Sequence, residues 1–139
     1  MKKRSAAAAK AAPRVSVFNE TRIRLPRLSY EDLKVAALGA GYELSVIFVP
    51  SVKSRRLNRE YRKKDKPTNV LSFPLSKTSG ELYLCPTVVR TELPLFKRSF
   101  PDHLTALLIH GMLHLKGMTH GSTMERRERQ LRKRFGIEQ

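Results

Sequence analysis

The sequence predicts an α+β fold. Three observations carry this reading. Four short apolar or β-branched runs are present, three of them stopped by proline, and four longer stretches show helical apolar spacing. The two kinds alternate irregularly along 139 residues, which suits a mixed sheet packed with helices. A chain of this length supplies one hydrophobic core and too little material for a second. One domain is therefore expected over residues 14–139. A disordered basic tail is expected over residues 1–13, where Met1-Lys2-Lys3-Arg4-Ser5 leads into an alanine run with no leucine-rich segment.

Val15–Phe18 reads as the first strand. Ser29 opens a helix, with Asp32 three residues on as an approximate capping box, and Leu33, Ala36, Ala37 and Ala40 form its apolar stripe up to Gly39 and Gly41. Glu43–Val49 is β-branched and apolar, as a central strand should be, and Pro50 stops it. Ser51 is expected to cap a second helix through about Lys64, docked by Leu57 and Tyr61. Asn69–Phe73 reads as a strand closed by Pro74, and Glu81–Cys85 as one closed by Pro86. Asp102 is a reasonable cap for a helix that is apolar on most sides and hence buried. Gly117 ends it. Ser122-Thr-Met-Glu125 has the form of a capping box for a last helix running to Phe135 before Gly136. The expected total is about four short strands and four to five helices, with no internal repeat.

Charge narrows the partners. Lysine plus arginine number 28 against 12 acidic residues, a net +16. Such an excess repels itself in the folded state and attracts polyanions, with nucleic acid the first candidate and an anionic membrane surface the second. Residues 53–66 alone hold eight basic and two acidic side chains. Arg55, Arg56, Lys63 and Lys64 in this run are the expected RNA-binding residues. No apolar run approaches the length of a membrane-spanning helix. The single cysteine, Cys85, cannot form an internal disulfide, and a cytoplasmic setting is expected.

The chemistry concentrates in His110-Gly-Met-Leu-His114-Leu-Lys-Gly-Met-Thr-His120. Residues four apart lie one helical turn apart on one face, so His110 and His114 can point two imidazoles at one ion. Gly117 can take the left-handed conformation that ends a helix and brings His120 back from another direction. Three nitrogens leave the fourth tetrahedral position of a zinc ion open to water, as catalytic sites require. A structural site would be closed by a fourth protein ligand, and Cys85 is available by sequence. His103, seven residues before His110, reads as a helix-start residue or an outer partner of the site. The spacing matches the zinc signature of the metzincin proteases, H-E-x-x-H-x-x-G-x-x-H, except that Gly111 stands where those enzymes carry their general base. Peptide hydrolysis is thereby disfavoured.

Two blocks resemble a known family, the YbeY endoribonucleases or rRNA-maturation RNases. The histidine block is similar to the family's H-G-x-L-H-L-x-G-Y-D-H. Leu57-Asn-Arg-Glu-Tyr-Arg62-Lys-Lys-Asp65-Lys-Pro-Thr-Asn-Val-Leu-Ser-Phe73-Pro is similar to its L-N-x-x-Y-R-x-K-D-x-P-T-N-V-L-S-F-P. Together the blocks span about a fifth of the chain. The resemblance implies a zincin-like α+β fold with the metal site at the end of a buried central helix. It implies one zinc per chain on His110, His114 and His120, and an active-site role for Arg62. It further implies a single-strand-specific endoribonuclease acting in rRNA maturation, at the 3′ end of 16S rRNA, and in ribosome quality control. The implied partners are single-stranded RNA, rRNA and the ribosome or its small subunit, with no membrane. Met118-Thr119 departs from the family's Tyr-Asp, and Glu81 stands for its aspartate after Gly80. Glu81 and Thr119 are the expected substitutes for the lost carboxylates that would orient a ligand histidine.

The mechanism that follows is metal-assisted phosphodiester hydrolysis by zinc-bound water, with Arg62 stabilising charge on the phosphate. The RNA is expected between the basic second helix and the histidine helix, with Asn69–Phe73 as one wall. The competing class is a non-catalytic, zinc-stabilised RNA- or ribosome-binding assembly factor.

Overall fold

A computed structural model describes residues 14–137; the tail expected over residues 1–13 lies outside them. The order is β1 (Val15–Asn19), α1 (Tyr30–Leu38), β2 (Glu43–Phe48), α2 (Ser51–Arg62), β3 (Val70–Ser76), β4 (Ser79–Leu84), α3 (Pro86–Phe96), α4 (Phe100–Leu115) and α5 (Ser122–Arg134). The α+β class stands, with four strands and five helices among the described residues.

The strands form one sheet in the order β1-β2-β4-β3. β1, β2 and β4 are parallel, while β3 runs antiparallel to β4 as an edge strand. Pro74 does not close β3 as expected. It pairs with Gly80 inside the strand, ahead of a register irregularity at Ser76. An edge strand tolerates this because one side of its backbone needs no ladder partner.

α4 is the centre of the fold. Ten of its residues are buried, including Leu104, Leu108, Met112 and Leu113, with no stripe left for solvent. It packs on β3 and β4, and α1, α3 and α5 pack on it. Val46, Phe48, Leu82 and Leu84 meet it from the sheet, each fully buried. Each such side chain contributes about 1.5–3 kcal/mol of burial free energy. Gly111 permits the close approach: a Cβ there would come within 2.8 Å of Leu82 and 3.2 Å of Ser72 Oγ. Ser72 Oγ also donates to the Gly111 carbonyl at 3.0 Å.

Several expected caps differ. Ser29 makes no side-chain cap bond, and Ser51 is the first residue of α2, with Pro50 at the cap position. α2 stops at Arg62, because Lys63 turns left-handed at φ 60°. Ser99, not Asp102, caps α4, accepting from the Asp102 amide at 3.2 Å. The box at Ser122 does not form, and Gly121 occupies the cap position of α5. α3 was not expected from sequence, and it carries Pro94 in its interior, where proline ordinarily costs a helix one hydrogen bond.

α2 is anchored by polar bonds rather than by Leu57 and Tyr61 alone. Its buried residues are Ser54 and Asn58. Ser54 Oγ donates to the Thr68 carbonyl and accepts from its amide. Asn58 donates to the Lys66 carbonyl at 2.8 Å. These bonds tie the return segment to the helix and fix where Arg62 and Asn69 stand. No helix among the described residues is long and apolar enough to cross a membrane.

Candidate metal centre

His110 and His114 lie one turn apart on the last two turns of α4. The helix ends in a Schellman motif: the Met118 amide donates to the Leu113 carbonyl and the Gly117 amide to the His114 carbonyl. Gly117 adopts φ +100°, a region that side chains rarely enter. The turn returns His120 to the other two. The available ligand atoms of all three histidines lie within 4.8 Å of one another.

The same turn orients His114. Its Nδ1 lies 3.0 Å from the Met118 carbonyl, which can only accept, so Nδ1 carries the proton. His110 Nδ1 lies 2.6 Å from Glu128 Oε2. Burial opposes ionisation of Glu128, yet the His110 hydrogen bond and nearby positive charge hold its carboxyl below the usual carboxylate range. It is therefore ionised and accepts. With both Nδ1 atoms donating, each ring in its neutral form turns an Nε2 lone pair on the other across 3.1 Å. Two acceptors at that distance repel unless a cation or proton lies between them. Zinc bonds of 2.0–2.1 Å at tetrahedral angles would separate such nitrogens by about 3.3 Å. The donor set thus fits a metal ion, with His120, which is exposed, completing three ligands. Burial keeps the His114 pKa below its ordinary value, favouring the neutral, ligating form.

Glu128 was not singled out from sequence, although carboxylates are scarce in the basic helix α5. Of the expected substitutes, Glu81 accepts from Tyr83, and the partner of His114 is a backbone carbonyl that exists whatever side chain residue 118 carries. Cys85 is buried at the start of α3 beside Ser51 and is not in the histidine group, so it closes no fourth position. His103 is buried against Glu92 and Arg98, with its ring stacked on Phe96.

The histidines open into a cleft of about 730 Å³, lined also by Tyr61, Arg62 and residues 68–74. Arg62 is exposed and, among the described residues, has no ion pair. Arg55, Arg56, Lys63 and Lys64 do not line this cleft. Arg55 is clamped by Asp65 through two bonds of 2.8 and 3.0 Å, and Arg59 reaches the same carboxylate at 3.4 Å. Among the described residues, no carboxylate lines the cleft itself.

Residues 19–136 match the family model described as Endoribonuclease YbeY. Curated relatives bearing that name include one from Halorhodospira halophila, 39% identical over 73% of this chain and 75% of its own. The Chromohalobacter salexigens protein is 42% identical over 69% of this chain and 70% of its own. The solution structure of TM1509 from Thermotoga maritima superposes with a TM-score of 0.59 at 27% identity, covering 86% of this chain and 87% of that one. With its histidine triad at the end of a buried helix and the match running from β1 to the end of α5, this chain belongs to the endoribonuclease YbeY family.

Proposed function

We propose that the protein is a zinc-dependent, single-strand-specific endoribonuclease of the cytoplasm, acting in rRNA maturation at the 3′ end of 16S rRNA and in ribosome quality control. The observation that carries the metal-dependent chemistry is the opposed pair of Nε2 atoms in a cleft shared with an unpaired arginine. His110, His114 and His120 would hold the ion. Zinc bound there would supply Lewis acidity toward water and a phosphoryl oxygen. Arg62 binds the phosphate and offsets the charge that grows on it, its planar fork suiting two oxygens at once. Glu128 and the Met118 carbonyl keep two imidazoles in the ligating tautomer. Backbone phosphates drawn by the +16 charge give affinity with little dependence on base sequence.

A second reading is a non-catalytic, zinc-stabilised factor that binds RNA or the small ribosomal subunit. The cleft lining among the described residues favours it, since it offers no carboxylate as a general base. One experiment separates the two: metal analysis of the purified protein with cleavage of a labelled single-stranded RNA, with and without chelator. The enzyme contains about one zinc per chain and its cleavage stops with chelator and in His114→Ala. A protein that retains zinc but never cleaves is the binding factor.

A further inference from the structure

A second cavity, of about 490 Å³, lies between α5 and the turn joining α3 to α4. Asn69 and His110 line both this cavity and the metal cleft, so the two meet at a ligand histidine. Its size suits a nucleotide-sized ligand. Arg98, Arg129 and Arg132 line it, opposed by Glu125 and Glu128. Glu128 bonds His110 and also feels the charge of Arg132, and the lining carries three arginines against two carboxylates. Arg132 is half-buried, and its Nε is out of water with no hydrogen-bond partner among the described residues. Such a partly desolvated cation gains more from an incoming anion than a fully hydrated one.

Phe96 completes the cavity. It is 50% exposed, far more than a core aromatic, and is backed by His103 at a centroid distance of 4.6 Å and an interplanar angle of 27°. His103 is itself locked by Glu92, which also accepts two bonds from Asn69 Nδ2. The ring is therefore an aromatic platform at a basic rim, with the Arg98 guanidinium 5.3 Å from its centroid, the combination that stacks an unpaired base above a phosphate.

An endonuclease must hold its strand on both sides of the scissile phosphate, and Arg62, which lines the metal cleft but not the second cavity, is engaged at that phosphate itself. We infer that the second cavity is the subsite for the strand beyond the metal on the side away from Arg62. Arg129 and Arg132 hold a backbone phosphate there, and Phe96 stacks an unpaired base. This rests on the endoribonuclease reading and deepens it. A base paired in a duplex presents no free face to Phe96, so the subsite also selects single strands.

The test uses the zinc-loaded full chain with a fluorescent oligouridylate of roughly ten nucleotides, enough to pass both cavities. Affinity and single-turnover cleavage are measured in parallel on Phe96→Ala, Arg129→Glu and the control Arg126→Glu, with melting temperatures as the check on folding. Arg126 is on the same helix and lines neither cavity. Phe96→Ala is expected to weaken single-strand binding about tenfold while leaving duplex binding unchanged. Arg129→Glu is expected to weaken it about tenfold more than Arg126→Glu and to lower the salt dependence. Equal losses from the two charge reversals, or binding by Phe96→Ala within about twofold of the parent, overturn the subsite. Arg132 is left unchanged because it neighbours Glu128. Binding is read apart from cleavage, so a protein that binds through this cavity yet never cuts RNA refutes the enzyme and keeps the subsite.

Discussion

His110 and His114 face each other through Nε2 atoms 3.1 Å apart while acceptors hold both of their Nδ1 atoms. The acceptor on His110 is a side chain, and that makes its contribution measurable. Glu128→Gln keeps the shape and removes the negative charge that fixes the tautomer. Zinc affinity should fall about 10–100-fold, read by competition with a chromogenic chelator. Unchanged affinity would show that the ring is oriented by packing alone.

Proton competition should be shallow until the medium is distinctly acidic. The His114 pKa lies below its ordinary 6.5, chiefly through burial, with the Met118 hydrogen bond opposing and His110 and His120 adding to the depression. The unfolded residue takes up its proton near 6.5, and the folded one only at lower pH. The stability this group contributes is thus complete above 6.5 and declines as the pH falls from there through the depressed value. The neutral form of His114 persists over the same interval, so this ligand should hold metal below pH 6.5 and give it up only further down. Zinc release followed from about pH 8 to about pH 4 checks this. Loss of metal centred above 6.5 would contradict it, and His114→Ala should hold little zinc at any pH.

Gly111 occupies the position of the metzincin glutamate, and its surroundings explain why no glutamate stands there. It faces the sheet, where a Cβ would press on Leu82 at 2.8 Å and Val70 at 3.3 Å. Gly111→Ala should destabilise the fold by about 1–3 kcal/mol through overpacking. Gly111→Glu should fail to fold rather than gain protease activity. Thermal melts compare the two. A stable Gly111→Glu protein would mean that α4 can rise off the sheet.

The histidine pair was legible because helical periodicity alone puts residues four apart on one face, and Gly117 marks the turn that brings in His120. Glu128 was not legible: its place beside His110 depends on how α5 packs across α4, which no local pattern encodes. The apolar runs located the strands, but Pro74 misled because its meaning depends on whether β3 is an edge. Ser99 took the cap from Asp102 although both are good capping residues, since Pro101 starts α4 one turn earlier than its apolar pattern. Within the basic run, charge could not separate Arg62 from its neighbours. The separation comes from Asp65, which engages Arg55 and Arg59, and from the end of α2 at Arg62.

That engagement gives a prediction in the unusual direction. The Arg55 hydrogen bond holds the Asp65 carboxyl below its usual range, so it is ionised at neutral pH. Asp65→Asn frees Arg55 and Arg59 and removes one negative charge from the α2 surface. Single-stranded RNA should bind more tightly and with a steeper salt dependence. Weaker binding would mean that Asp65 orders the arginines for RNA rather than masking them.

Arg62 separates an enzyme from a binding factor. It lines the cleft with the three histidines, whereas Arg59, three residues earlier on α2, is tied to Asp65 outside it. If Arg62 stabilises charge that develops only as the phosphate reacts, Arg62→Ala slows the chemical step far more than it weakens RNA binding. Loss of one such donor costs about 3 kcal/mol, roughly a hundredfold in rate. Arg59→Ala removes at most an ordinary phosphate contact and should change both quantities only slightly. Single-turnover cleavage of a short single-stranded RNA, with affinity measured in parallel, reads the difference. The cleavage must also vanish in His114→Ala, because a trace contaminating nuclease would ignore that substitution. Should Arg62→Ala and Arg59→Ala behave alike, with no metal-dependent cleavage in the parent, the histidine site holds the fold together and the basic surface alone carries the function.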